Sequence, residues 1–138
     1  MELSGFDELN RKLERMAKDM PQKRGVFLMQ EAELLKKRTK ANTPVSDSYP
    51  GHQGGTLREA WKRTAPANGS IDVYNNTEYA AHVEWGHRQK PGRFVPAIGK
   101  RLKKGYVPGK KMLHRGLDEL KTSFKEDAEA ILASILNA

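Results

Sequence analysis

The chain has 138 residues, of which 37% are hydrophobic and 30% are charged, and its formal net charge is +8. This length is typical of one domain built around one hydrophobic core. The sequence has no run of about 20 apolar residues, so we expect no membrane span. Its first residues lack the basic and apolar regions of a secretory signal, so we expect none. There is no cysteine, which excludes disulfides, thiolate metal ligands and a cysteine nucleophile.

The N-terminal part, residues 1–43, has the apolar spacing of amphipathic helices. A first helix is predicted from apolar residues at intervals of three and four: Phe6, Leu9, Leu13, Met16 and Met20. Pro21 has no backbone N–H, so we expect it to end this helix or to begin the next one. A second helix is predicted over 22–41. It should stop near Asn42, because Pro44 disfavours helical geometry in the residue before it.

The middle part, residues 44–107, mixes helix and strand patterns. A short helix is predicted over 56–63, with Leu57 and Trp61 on its inner side. Alternating residues over 70–74 predict a half-buried strand.

Another short helix is predicted over 77–85, closed by Gly86. The following stretch is rich in glycine and proline, and we expect it to form a hairpin in which Phe94 and Val95 form a strand. These patterns together predict a small antiparallel sheet near 70–75 and 90–107.

The C-terminal part, residues 108–138, reads as one long helix from Pro108 to Leu136. Such a helix would be roughly 43 Å long at 1.5 Å per residue, whereas a compact domain of this size is only about 37 Å across. We therefore expect Gly116 to break the helix, or the end of the helix to extend onto a neighbouring molecule, and we favour the second. The predicted fold is a single α+β domain, 1–138, with a small antiparallel sheet packed by N-terminal helices and a long C-terminal helix.

The positive charge is concentrated in one segment. No acidic residue occurs between Glu84 and Asp118, whereas the other 15 basic residues nearly balance the 17 acids of the chain. We call 88–115 the basic segment. Such a segment suits an anionic partner, either nucleic acid or an acidic protein surface, and the alternative is a solvated loop with no partner. Its lysines and arginines are Arg88, Lys90, Arg93, Lys100, Arg101, Lys103, Lys104, Lys110, Lys111 and Arg115.

One group of residues has the composition of an acid–base site. Glu84, His87 and Arg88 could cleave RNA, with the carboxylate as base, the imidazole as acid and the guanidinium holding the phosphate. Any basic surface helix supplies such residues, so this toxin-like activity is only an alternative. A second alternative is a nonspecific nucleic-acid-binding module, although no motif that reads a DNA groove is present.

Metal and anion sites are not expected. His82 and His87 are five residues apart and do not share a helix face well, and adding His52 or His114 creates no ligand spacing typical of zinc. The glycine-rich stretch 51–55 lacks the Lys-Ser/Thr of a phosphate loop, so we interpret it as a connector. We predict no cofactor.

Five motifs then occur in a familiar order: Asn42-Thr43-Pro44-Val45, Gly55-Thr56-Leu57-Arg58-Glu59-Ala60-Trp61, an alternating strand, Tyr79-Ala80-Ala81-His82-Val83-Glu84-Trp85-Gly86-His87-Arg88, and Val107-Pro108-Gly109 with Met112-Leu113. This order resembles the tail-completion (neck, head–tail joining) proteins of long-tailed, siphophage-type bacteriophages. The resemblance covers about 41–117.

The resemblance implies a non-enzymatic virion protein that joins or completes a tail at the head–tail interface. It implies a homo-oligomeric ring, sixfold if it matches the tail, that is made in the host cytoplasm and incorporated into the neck. Its expected partners are the adjoining head-closure or connector proteins and tail-tube or tail-terminator proteins, with a passing contact to DNA and none to a membrane.

Most motif residues are expected to be architectural: Pro44, Gly55, Leu57, Trp61, Tyr79, Val83 and Gly86. Glu84 and Arg88 are four residues apart, and we expect this charged pair to lie on a surface and to contact a neighbouring subunit. The other expected interface residues belong to the basic segment: Lys100, Arg101, Lys103 and Lys104.

Overall fold

The computed structural model describes residues 4–46, 54–96 and 99–137. Its helices are α1 (Ser4–Asn42), α2 (Thr56–Glu59), α3 (Ala80–Trp85) and α4 (Met112–Leu136). Its strands are β1 (Trp61–Arg63), β2 (Val73–Asn75), β3 (Gly86–Arg88), β4 (Phe94–Val95), β5 (Lys100–Arg101) and β6 (Tyr106–Pro108). The predicted α+β class is confirmed, with long first and last helices packed together.

The N-terminal part is one helix, not two. Helix α1 runs for 39 residues with Pro21 inside it. Pro21 and Ala17 are both exposed, so water can bond to the Ala17 carbonyl, which has no N–H partner at Pro21. Helix α4 also packs on both sides of this point: Ile135 and Met16 line one groove, and the Phe124 and Phe27 rings are 5.4 Å apart. The prediction that Pro21 divides the helix is wrong because this packing outweighs it.

Helices α1 and α4 are antiparallel and are in close contact at Gly116. An ideal Cβ on Gly116 would lie 2.6 Å from Thr39 Oγ1, so Gly116 allows close helix contact and does not break α4. At the other end of α4, Ile135 is buried beside Met16. The end of α4 therefore lies on α1.

The helix that extends beyond its partner is α1, whereas we expected it to be α4. At 1.5 Å per residue α1 is about 58 Å long and α4 about 37 Å. The first turns of α1 reach past α4, and the apolar residues Phe6, Leu9 and Leu13 are exposed there.

The strands form three separate antiparallel pairs, β1–β2, β3–β6 and β4–β5, in the described part of the chain. The predicted single sheet joining 70–75 to 90–107 is therefore wrong: β2 pairs with β1, so Val73 lies opposite Arg63. Trp61 is the first residue of β1, because α2 ends at Glu59, earlier than predicted. The β4–β5 pair is the expected hairpin.

The small core lies where these elements converge on the beginning of α4. Leu57, Trp61, Ala80 and Met112 are buried together, and Val73, Val83 and Leu113 pack against them. No helix in the described residues is long and apolar enough to cross a membrane.

Candidate assembly surface

The residues that were expected to be architectural gather around the small core. Pro44, Gly55, Leu57, Tyr79 and Val83 line one groove. Trp61 and Leu57 are buried in the adjoining core, whereas Tyr79 is 44% exposed. Residues far apart in sequence therefore form one structural unit.

Hydrogen bonds join this unit to the end of α1. Trp61 Nε1 donates to Thr43 Oγ1 at 2.9 Å, and that hydroxyl donates to the Thr39 carbonyl at 2.7 Å. Arg58 donates to the Thr43 carbonyl at 2.8 Å, and Asn75 donates to the Leu57 carbonyl at 2.9 Å. Thr43 is 1% exposed, and both its hydroxyl and its carbonyl group have hydrogen-bond partners at the point where α1 ends.

Glu84 caps α4 from inside the molecule. Its carboxylate accepts hydrogen bonds from the backbone N–H groups of Leu113 and His114, both at 3.0 Å, and contacts His114 Nδ1 at 3.0 Å. Burial opposes ionisation, but these hydrogen bonds outweigh it and lower the pKa of Glu84. The carboxylate therefore fixes α3 to the N-terminus of α4.

The expected surface pair of Glu84 and Arg88 is not formed. Glu84 is 7% exposed, and Arg88 lies on strand β3, beyond the end of α3. Spacing of four residues brings side chains together only within a continuous helix, and α3 stops at Gly86, where φ is 87°. Arg88 itself is exposed.

Two glycines let the β3–β6 pair approach α3. An ideal Cβ on Gly86 would lie 2.5 Å from the Val107 carbonyl oxygen and 2.8 Å from the Gly109 nitrogen, and one on Gly109 would meet the Glu84 carbonyl. Two backbone bonds hold the chain after β6: Lys110 N–H to the Val83 carbonyl at 2.6 Å, and Lys111 N–H to the Glu84 carbonyl at 3.1 Å. The segment from β3 to β6 is therefore held at α3 by both of its ends.

Three aromatic residues lie at this anchor. Trp85 is 58% exposed, and its ring is 4.5 Å from that of His114 in an edge-on arrangement. The Tyr106 hydroxyl donates to the Trp85 carbonyl at 3.1 Å, and Tyr106 is 52% exposed. Exposed Trp and Tyr with nearby arginine have the composition of protein-interface hot spots.

The predicted interface residues of the basic segment are on the surface. Lys100, Arg101, Lys103 and Lys104 are all exposed, and Arg101 donates to the Gly92 carbonyl at 2.9 Å. The Arg101 guanidinium also lies 5.9 Å from the centre of the Phe94 ring. In the described part of the chain, no lysine or arginine of the basic segment forms an ion pair with a carboxylate.

The Glu84, His87 and Arg88 group is not assembled as a site. The carboxylate of Glu84 is directed to α4, and its lowered pKa makes it a weak base. The His87 ring contacts His82, with centres 5.4 Å apart, and the imidazole that contacts Glu84 is that of His114. Within the described residues no cluster of three or more metal-binding side chains occurs. His52 and most of the 51–55 stretch lie outside them.

Sequence reasoning missed the roles of Trp85, His114 and Gly109. The sequence places Trp85 within a motif and gives His114 no metal-ligand spacing. Nothing in the spacing of Glu84 and His114, 30 residues apart, predicts their contact.

No protein-family model, curated protein or solved structure matches this chain.

Proposed function

We propose that this chain is a structural virion protein of a tailed phage that completes or joins the tail at the head–tail interface as part of an oligomeric ring. The observation that carries the proposal is the gathering of the motif residues around one core that anchors the basic segment. Pro44, Leu57, Trp61 and Val83 lie around that core, and Glu84 binds α3 to α4 beside it. The resemblance in motif order supports the same proposal, and no catalytic step is part of it.

The basic segment supplies the contact with the adjoining neck or tail proteins. Its lysines and arginines have no carboxylate partner among the described residues of their own chain, and repeating them around a ring would be repulsive without an anionic partner. An acidic protein surface is the preferred partner, because tight phosphate binding would hinder DNA that passes through a channel. Trp85 and Tyr106 provide apolar anchors beside the positive charge.

The test replaces Lys100, Arg101, Lys103 and Lys104 with glutamine in the phage that encodes the chain. We expect heads and tails to form but to remain unjoined at physiological salt. The matched control replaces four exposed bases of α1 with glutamine, at the same cost in charge, and should leave joining intact: Arg11, Lys12, Lys18 and Lys37. Normal joining in the first variant would contradict the interface role. Normal joining with lost DNA retention would assign the segment to the channel.

The ribonuclease alternative has its own test. Expression of a toxin-like ribonuclease should arrest bacterial growth, and His87→Ala should relieve the arrest. We expect equal growth with the wild-type chain, with the variant and without either. Arrest that depends on His87 would replace the structural proposal with the enzymatic one.

A further inference from the structure

A groove between α1 and α4 contains an acidic pair. It has a volume of about 390 Å³ and lies in the middle of the helix pair. Its walls include Phe27, Leu34 and Ile131, and Glu31 and Asp127 bring one carboxyl group from each helix. Two acids in one groove repel each other unless one is protonated or a cation lies between them.

Glu31 is the unsatisfied member of this pair. It is 7% exposed, and its Oε2 atom is buried without a hydrogen-bond partner. Burial raises the pKa of Glu31 to about 7, a hydrogen bond and charge repulsion from Asp127 add to the effect, and Arg38 on α1 opposes it. A buried carboxylate oxygen without a donor costs free energy, which a cationic ligand would recover.

We propose that this groove receives a lysine or arginine side chain from the basic segment of a second copy of the chain. The inference rests on the proposed ring and identifies the contact between its neighbouring subunits. A subunit that inserts its basic segment into the next one uses two different surfaces, and such a head-to-tail contact forms a ring when the rotation between subunits closes.

Charge complementarity and shape both support a second copy as the partner. The basic segment has ten bases and no acid, while the rest of the chain has 17 acids against 15 bases. Phe27, Leu34 and Ile131 can pack against the methylene groups of a lysine or arginine while its charged end reaches Glu31 and Asp127. A cation beside the buried carboxyl group of Glu31 interacts more strongly than one on open surface.

The position of the groove favours contact between molecules. Asp127 lies 12 residues after Arg115, so the groove is about 18 Å along α4 from the point where the basic segment ends. A second molecule that is displaced by this distance along the helix pair would bring its own basic segment to the groove.

Docking would also release a proton. A cation between Glu31 and Asp127 favours the ionised form of both, so association should strengthen as the pH rises through about 7. The charged groups that face Glu31 are Asp127 on α4 and Arg38 on α1. A variant without the two carboxyl groups should associate in a way that does not depend on pH in this range. If Glu31 had only a structural role, the dependence of association on pH would be the same in the variant and in the wild type.

The experiment mixes two purified variants that lack opposite halves of the contact. The groove variant is Glu31→Gln with Asp127→Asn, and the segment variant has glutamine at 100, 101, 103 and 104. We expect wild type to form large species in sedimentation equilibrium at pH 8, each variant alone to associate at least about tenfold more weakly, and the equimolar mixture to form dimers. Because each dimer retains one intact contact, it should not grow further.

Controls separate this inference from its alternatives. The variant with glutamine at 11, 12, 18 and 37 should associate like wild type, and Asp127→Asn alone replaces the double variant if circular dichroism shows that the latter is unfolded. A wild-type chain that stays monomeric at about 1 mM, or a mixture that associates no better than its components, would overturn the inference. The proposed function would survive that result if the four-glutamine phage still failed to join heads to tails.

Discussion

Glu84 and Glu31 are equally hidden, each 7% exposed, yet their surroundings shift the pKa of the two carboxyl groups in opposite directions. At Glu84, burial is opposed by two backbone N–H groups at a helix N-terminus and by His114, so the carboxylate is held ionised. At Glu31, burial is reinforced by the carboxyl group of Asp127. The partners of a buried acid therefore decide its charge.

The two regions also differ in what they leave unsatisfied. At the α3–α4 junction the carboxylate of Glu84 bonds to α4, and its backbone carbonyl bonds to Lys111 and lies against Gly109. The α1–α4 groove around Glu31 leaves one buried oxygen without a donor. In the first region both carboxylate oxygens of Glu84 have hydrogen-bond partners. In the second region a buried carboxylate oxygen has none, and a positive charge would stabilise it.

Removing the carboxylate of Glu84 is expected to have the largest effect on stability. Glu84→Ala leaves two N–H groups of α4 without their acceptor, so the free energy of unfolding should fall by about 2–3 kcal/mol at pH 7. Because the pKa of Glu84 is lowered in the folded state, its contribution is present above the ordinary carboxyl pKa and is lost as the pH falls below it. Urea unfolding at pH 7 and pH 3 measures both effects.

The matched control for this prediction is Glu78→Ala, which removes an exposed carboxylate just before α3. Its effect should stay within about 0.5 kcal/mol. Equal losses in the two variants would show that Glu84 acts through net charge and not as the cap of α4.

The next largest effect tests the two glycines in the long helices. Gly116→Ala places a methyl group 2.6 Å from Thr39 Oγ1 and 3.2 Å from the Thr39 nitrogen, and should cost about 1–3 kcal/mol. Gly25→Ala meets no atom within 4 Å and should stabilise α1 by up to about 1 kcal/mol. Thermal unfolding of the two variants should therefore move in opposite directions. A stabilising Gly116→Ala would mean that α1 and α4 are not in close contact there.

The sequence predicted the parts of the fold that depend on local pattern. Helical spacing identified α3 and α4, and Gly86 correctly marked the end of α3. The division at Pro21 failed because contacts with α4 act across it, and those contacts join residues about a hundred positions apart.

The candidate site was less predictable because its contacts are not local. The exposed basic segment followed directly from its composition. The inward direction of Glu84 did not, since it depends on Leu113 and His114, which are brought together with it only when α3 meets α4. Pairing of strands as short as β1 and β2 also depends on which turns bring them together, so the register could not be derived from residue alternation alone.

Glu31→Gln is expected to stabilise the isolated subunit in a way that depends on pH. The pKa of Glu31 is raised from 4.5 to about 7, so its favourable contribution is complete below 4.5 and is lost as the pH rises through about 7. The variant should therefore be more stable than wild type at pH 8, by on the order of 2 kcal/mol, and similar to it at pH 5. Glu126→Gln, an exposed acid one residue before Asp127, should show no such pH dependence.

The smallest effect concerns a third glutamate, whose partner is fully charged but whose site is open to water. Arg63 Nε donates to Glu33 Oε1 at 2.5 Å, and this hydrogen bond lowers the pKa of Glu33. The Glu33 side chain is 52% exposed, so solvent and salt screen the interaction. Glu33→Gln should cost less than about 1 kcal/mol at low salt, and the loss should vanish as salt is added or as the pH falls below the ordinary carboxyl pKa. Glu8→Gln on the exposed face of α1 is the control. A salt-independent loss comparable to that of Glu84→Ala would mean that closeness of partners, more than exclusion of water, determines what a carboxylate contributes in this molecule.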